Sequence, residues 1–542
     1  MKHNDCHNPD SAALPKRVIE ISGDPSVAPK LLVSTGETGQ YVVLSHCWGK
    51  TPIAKLTDSL IPAFQKAIPF DLLSKSFSDA IDITRRLGFR YLWIDALCIS
   101  QDNAEDWREE APKMASYYGR SALMISATAA EDSSKGFLHD RHVPVSPMLG
   151  PERRYCLRQR LLRWDWDIDR SILSTRGWAA QERMLSPRIL HFTKRQLIWE
   201  CAEGFKFEAS GIQEVQVGSG QIDQRFSKKK LQPYVTRAFE PPMDLIDEEV
   251  QRKDILERVR AWQQCVDEYS SRSLTIPSDK FHALSGVASI INHDGKMGQY
   301  LAGIWSNYVA AGLAWGRQYA LLTPPPAYRA PSWSWASVDG TIGSLILASP
   351  PKLLEPTHND EGRMWAAKFD IELVEHLIKL QDESNPYGTV LEGSYIVIKG
   401  TYITADEHRR LSKQLDNIGF DGQSIGLDKS NAFSCPCCGP RGPDDLGDGS
   451  DEDDDDDFDP RGRKRDYGDP HYDLCLFLFS DVWHNPGGFV DLLLLRWTDK
   501  DKKIAERVGL SRITIWEHEG PRESFCEKFL AADWKRAELK LV

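Results

Sequence analysis

The chain has 542 residues, 41% of them apolar and 27% charged, which is too long for one ordinary core and balanced enough for most of it to fold. Its net charge of −12 is local: Asp444 to Asp459 carries eleven acidic residues and no basic one, leaving the remainder near −1, so nothing points to a nucleic-acid-binding surface. No run approaches the ~20 apolar residues that cross a bilayer, and the first residues, MKHNDCHNPD, hold no apolar secretory core. The scattered cysteines then read as reduced thiols of a cytoplasmic or nuclear protein.

Residues 1–35 read as a polar leader. Tyr41–Ser45 (YVVLS) is a short β-prone run ending in small and polar residues. Between Phe70 and Leu87, Leu73, Phe77, Ala80, Ile81 and Thr84 recur at helical spacing, and Gly88 is placed to end that helix. Tyr91–Asp95 (YLWID) is an apolar run closing on a carboxylate. Gln101 and Asp102 stand where caps of a helix over 105–119 are expected, and Ala122–Ala127 is a third apolar run. Strand–helix alternation at this pace implies parallel strands joined by crossover helices and covered on both faces. After a charged stretch at 131–170 come a helix at 176–185 and further strands at 189–192 and 197–199.

Residues 36–205 are thus expected to be an α/β domain with a mostly parallel sheet and flanking helices. A mixed α+β region follows at 240–404 and 471–542, helical first and then rich in Trp-bearing strands. Within it, Leu492–Leu495 stops at Arg496 and reads as a buried strand. Residues 405–470 form an acidic insertion, expected to be unpacked over about 440–466 because like charges repel and few apolar groups are available to bury. Cys435, Cys437 and Cys438 lie in it, with His471 and Cys475 beyond; without a second matched pair they are read as thiols and no metal site is expected. Arg461–Arg465 (RGRKR) is a short basic patch of the nuclear-import type.

Ligands of an open parallel sheet bind beyond the C-terminal ends of its strands. That rule gathers Ser45–Gly49 (SHCWG), Asp95 and the 174–182 segment on one rim. Ser45, His46 and Trp48 would face a ligand there, and Gly49 would let backbone amides approach phosphate. Asp95 either binds ribose hydroxyls or ties down the loop from Cys98 to Asp106. Arg176 either holds a phosphate or braces the helix start, and Trp178 either stacks on a base or belongs to the core.

Three blocks then carry a resemblance. YVVLSHCWG (41–49), YLWIDALCISQDNAEDW (91–107) and STRGWAAQERMLSPRILHF (174–192) resemble, in order, the signature blocks of the fungal heterokaryon incompatibility (HET) domain. YSSRSLTIPSDKFHALSGVA (269–288), RAPSWSWASVDG (329–340) and GLSRITIWE (509–517) are similar to segments that follow it in long members. The resemblance implies a vegetative-incompatibility effector, in which self/non-self recognition triggers cell death, acting through self-association and an incompatibility partner protein. It also implies a more distant likeness to Toll/interleukin receptor (TIR) domains, with a TIR/flavodoxin-like fold. Many TIR domains cleave NAD with a Glu four residues after a Trp, and Trp178-Ala-Ala-Gln-Glu182 has that spacing. Glu182 is therefore the candidate catalytic residue of an NAD glycohydrolase, with NAD as substrate and no resident cofactor. The alternative is a non-catalytic assembly module that kills through partner proteins.

Overall fold

The computed structural model describes residues 12–49, 51–141, 165–208, 228–239, 248–317, 322–344, 371–407, 410, 425–427, 474–481, 487–516 and 535–542. The acidic stretch 440–466, the cluster Cys435, Cys437 and Cys438, His471 and the basic patch 461–465 lie outside them. The chain forms two compact units, residues 1–296 and 297–542.

The first unit is built on an eight-stranded mixed sheet. In chain order its strands are β1 (Arg17–Glu20), β2 (Lys30–Val33), β3 (Tyr41–Ser45), β4 (Tyr91–Trp93), β5 (Leu123–Ser126), β6 (Arg188–Phe192), β7 (Leu197–Cys201) and β8 (Gly204–Phe207). They lie in the order β8-β7-β6-β5-β3-β4-β1-β2. The expected parallel set is present: β3 pairs in parallel with β4 and β5, and β5 with β6. Every residue of β3 and β5 is buried, as strands covered on both faces require.

The sheet is mixed rather than mostly parallel, because both flanks of the parallel core are antiparallel. The cause is connection length. The links after β6 and β7 are too short for a crossover, so those strands return as hairpins. On the other flank, part of the stretch expected as a leader supplies β1 and β2, and Val18 and Ile19 are fully buried. Arg17 holds that hairpin in place, its Nε donating to the Cys98 carbonyl at 2.6 Å and its guanidinium pairing with the buried Asp106.

Helix α1 (Lys75–Arg86) buries Phe77, Ala80, Ile81 and Thr84. Ser74 caps its start, accepting from the Phe77 N–H. It ends as expected on Gly88 at φ +81°, with Gly88 N–H bonded to Arg85 O and Phe89 N–H to Thr84 O, the paired bonds of a Schellman end. The helix expected over 105–119 is two, α2 (Ala104–Glu110) and α3 (Met114–Gly119), separated by a turn at Ala111–Lys113. Pro112 in that turn has no N–H to continue the ladder. Neither Gln101 nor Asp102 caps α2: the cap is Asn103, which accepts from Glu105 and Asp106 N–H.

Helix α4 (Gly177–Leu185) is almost wholly buried. Around it pack α5 (Lys228–Phe239), α6 (Glu248–Ser270) and α7 (His282–Ile291). Lys228 Nζ donates to the carbonyls of Arg183 and Ser186, and Gln181 Oε1 accepts from Gly286 N–H at 2.8 Å. Helices α6 and α7, expected in the C-terminal region, therefore complete the first unit together with α5.

The second unit carries a seven-stranded sheet, antiparallel except for Ile504–Ala505 beside Lys540–Leu541. Leu492–Leu495 lies in one of its strands with all four side chains fully buried. The 329–340 segment folds back on itself, Arg329 donating to the carbonyls of Ala336 and Val338, and Trp333 and Trp335 are buried.

Candidate functional site

Numbered by chain order, the parallel strands β3, β4, β5 and β6 lie side by side in the order second, first, third, fourth. The chain therefore runs one way from β3 to reach β4 and the other way to reach β5, and a crevice opens where it diverges. Ser45 ends β3 and Ser126 ends β5, directly opposite each other across that point.

Glu182 projects from α4 to this place. It is the sixth residue of a nine-residue helix, so a first-turn helix-dipole role does not explain it. Burial pushes its carboxyl up to about 7 and Asp95 adds to the rise; the Ser45 hydroxyl, Arg176 and the Tyr118 phenol oppose it by favouring the ionised form. Burial also raises the Tyr118 phenol, and so do the nearby carboxylates of Glu182 and Asp95. Arg176 donates to the His46 carbonyl.

His46 is fully enclosed. Burial pulls its imidazole down to about 4, against the opposing effect of Asp95, so it is neutral at pH 7. Its ring meets Phe77 edge-on at 5.2 Å, and its Nε2 is buried with no hydrogen-bond partner. A buried polar atom left unpaired is a position that a water or ligand atom would satisfy. Cys47 lies beside Leu173 and Ala179; burial raises its thiol, opposing the thiolate a nucleophile needs.

Asp95 is half-buried, and its carboxylate accepts from Trp48 Nε1 at 3.0 Å and from the Ala96 N–H at 2.7 Å, bonds that tie the Trp48 loop rather than the stretch from Cys98 to Asp106. Trp48 is half-buried, with Lys55 over its ring at 5.0 Å. Gly49 does have a positive φ of +78°, but the close approach it permits is to Asp132, whose Cβ would lie 2.2 Å from an added Cβ. A carboxylate there does not suit a phosphate contact.

Trp178 is turned to other work. Its Nε1 donates to Asp279 at 3.2 Å, and no described contact joins it to the Glu182 group. The segment 269–288 is what fixes α4. Gly177 N–H donates to Ser273 O at 2.8 Å, Ser273 N–H to Thr175 O at 2.7 Å, and Gly286 N–H to Gln181. Ser45, His46, Asp95, Arg176 and Glu182 thus converge with Tyr118, while Trp48 is attached through Asp95, and Gly49 and Trp178 stand outside.

Two features went unread in the sequence. Tyr118 sits in an unremarkable YYGRS stretch whose role depends on α3 ending beside β3. The second is a buried network behind the site: Arg183 Nε on Glu200 at 3.0 Å, His191 Nε2 on the same oxygen at 2.8 Å, and Arg183 Nη1 on Asp169 at 2.7 Å. The visible trace of the latter was a His and a Glu inside strands β6 and β7, where polar groups are costly unless paired.

The space at the switch point is small. The cavity bounded by Ser45, Ser126, Ser174, Arg183 and His191 holds about 10 Å³, room for a single water. No described group of His, Cys, Asp and Glu is arranged to hold a metal ion. Among the described residues, no helix is long and apolar enough to cross a membrane.

The family model of the heterokaryon incompatibility protein (HET) matches residues 41–182, from the first residue of β3 to Glu182 itself. Neither the curated proteins nor the solved structures include a match to the chain.

Proposed function

We propose that this HET-domain chain is a heterokaryon (vegetative) incompatibility effector whose first unit cleaves NAD at the nicotinamide glycosidic bond. The observation that carries the reading is the convergence of Glu182, Ser45, Asp95, Tyr118 and Arg176 at the point where the parallel strands diverge. The second-first-third-fourth strand order is that of flavodoxin-like sheets, whose ligands bind at this crevice, and it supports the distant TIR-like relation.

The chemistry asks little of the protein. Nicotinamide leaves as a neutral molecule from a cationic glycoside, so the paired acid and base of ordinary glycosidases are not needed. One ionised carboxylate facing the ribose stabilises the oxocarbenium-like transition state. Glu182 takes that role; Ser45 and Tyr118 orient its carboxylate, and Asp95 receives ribose hydroxyls. Cell death follows from NAD loss once a recognition partner drives self-association, in the cytoplasm.

A second reading is favoured by the size of the space beside Ser45, about 10 Å³. In it, the domain is a non-catalytic module that assembles and recruits a killing partner. Incubating the full chain with NAD, alone and self-associated, and measuring free nicotinamide separates the two. Release by wild type and not by Glu182→Gln supports cleavage; no release in either state leaves the assembly reading.

A further inference from the structure

A much larger cavity, about 360 Å³, opens beyond the ends of β5 and β6, on the same edge of the sheet as Ser45 and Asp95. Its volume falls within the ~300–1,000 Å³ usual for small-molecule sites. The side chains that give it chemical character are Thr128, Glu131, Asp167, Arg170, Lys194 and Arg195. Three cations face two carboxylates.

Those carboxylates are unequal. Asp167 is 5% exposed and accepts from Arg195 Nε at 2.6 Å and from Gln196 Nε2 at 3.3 Å, so its charge is spent inside the wall. The pair Glu131–Lys194, at 3.3 Å, has side chains 58% and 67% exposed. Such a pair is worth little in water and yields readily to a better acceptor. Arg195 Nη2 is buried without a hydrogen-bond partner. A buried donor left unpaired costs about 1–3 kcal/mol, and an acceptor oxygen arriving in the cavity relieves that cost. Arg195 therefore brings an unused donor, and Lys194 a loosely held one, to the lining of the cavity.

It also adjoins the Glu182 group. The Thr128 hydroxyl on its wall lies 2.9 Å from that of Ser126, and Ser126 shares with Ser45 the one-water space at the switch point. This hydroxyl contact links the wall of the large cavity to the small space that Ser45 lines.

We infer that this cavity holds the phosphate-bearing nucleotide portion of the ligand, with Arg195 and Lys194 donating to phosphate oxygens and the nucleoside filling the remaining volume. The identity of that ligand as the substrate rests on the reading of Glu182 given above; the anion subsite itself stands on the cavity and its donors.

The test is calorimetric titration of the full chain with ADP-ribose, inorganic pyrophosphate and adenosine. Wild type is expected to bind ADP-ribose, and adenosine about tenfold or more weakly. Lys194→Glu, on a largely exposed side chain, and Arg195→Gln should each weaken ADP-ribose about tenfold or more, roughly the loss of one charge-assisted bond. Should Arg195→Gln unfold, Lys194→Glu alone decides. Glu182→Gln should bind ADP-ribose like wild type. No ADP-ribose binding at millimolar concentration, folded charge variants that bind like wild type, or adenosine binding as tightly as ADP-ribose would each overturn the subsite. Pyrophosphate binding as tightly as ADP-ribose would overturn the nucleotide assignment. Charge-dependent ADP-ribose binding in a protein that releases no nicotinamide sinks the Glu182 reading and leaves the subsite standing.

Discussion

Trp48 Nε1 donates to Asp95 Oδ2 at 3.0 Å, so the loop leaving β3 is tied to the short helix that follows β4. The bond both satisfies and aims a carboxylate at the strand ends. Trp48→Phe removes it at an expected cost of about 1 kcal/mol in stability. If Asp95 receives ribose hydroxyls, the same change should raise KM for NAD with little effect on kcat, as should Asp95→Asn. An equal fall in kcat and kcat/KM would place Asp95 in the transition state instead.

Glu182→Gln should leave the fold and ADP-ribose binding intact while lowering NAD turnover on the order of 10²-fold or more, the scale for losing an electrostatic stabiliser. Cell death on overexpression should fall with it. A folded, expressed Glu182→Gln that kills at wild-type potency would remove cleavage as the killing step.

The same residue gives a pH signature. Its carboxyl stands near 7 in the folded chain against 4.5 ordinarily, chiefly through burial. Between those values the folded state holds a proton that the unfolded state has released, so this group's contribution to stability falls as pH rises from about 4.5 to 7. The loss is on the order of 3 kcal/mol. Denaturant melts at pH 5 and 8 should show Glu182→Gln gaining on wild type at pH 8. Activity that depends on the ionised form should decline below pH 7.

Glu200 has the opposite sign. Burial acts to raise its carboxyl, but Arg183 and His191 overcome it and hold it well below the ordinary range. Its stabilisation is present above about pH 4.5 and drains away as pH falls further. Removing one partner of a buried pair costs about 3–5 kcal/mol, so Glu200→Gln should lower the denaturation midpoint at pH 7 and blunt the acid transition. An unchanged midpoint would mean that the network carries no net stability.

Gly49→Ala should destabilise the first unit by about 1–3 kcal/mol, since it forces φ +78° on an L side chain and drives a Cβ to 2.2 Å from that of Asp132. Asp132→Gly in the same chain should recover only part of this, the backbone strain remaining. Full recovery would locate the whole cost in the collision.

The parallel core was legible because its strands are apolar runs, each ended by a polar residue or a turn, and because Gly88 marks where α1 must stop. The antiparallel flanks were not. Arg17-Val-Ile-Glu20 is too short and too charged at its ends to read as a strand until Asp106 is found waiting for Arg17. For the site, strand-end logic placed Ser45, His46, Asp95 and Glu182 on one rim, since it needs only sheet direction. It did not reach the neighbours of Trp178 and Gly49, since Asp279 and Asp132 lie far off in sequence and belong to tertiary contacts that no spacing rule encodes. The division at residue 296 was hidden for the same reason, because α7 looks like any apolar helix until its Gly286 meets Gln181.

The hairpins on either side of the parallel core also decide where this sheet meets the outside. A strand at the margin offers unpaired amides to any passing chain, and here that margin has been moved away from the central strands β3–β6. Among the described residues it rests on β2 and β8, each four residues long and each bearing a lysine, Lys30 and Lys206. Short, charged borders are poor templates for accidental strand addition. A protein whose proposed work begins with deliberate self-association is thereby guarded against the indiscriminate kind.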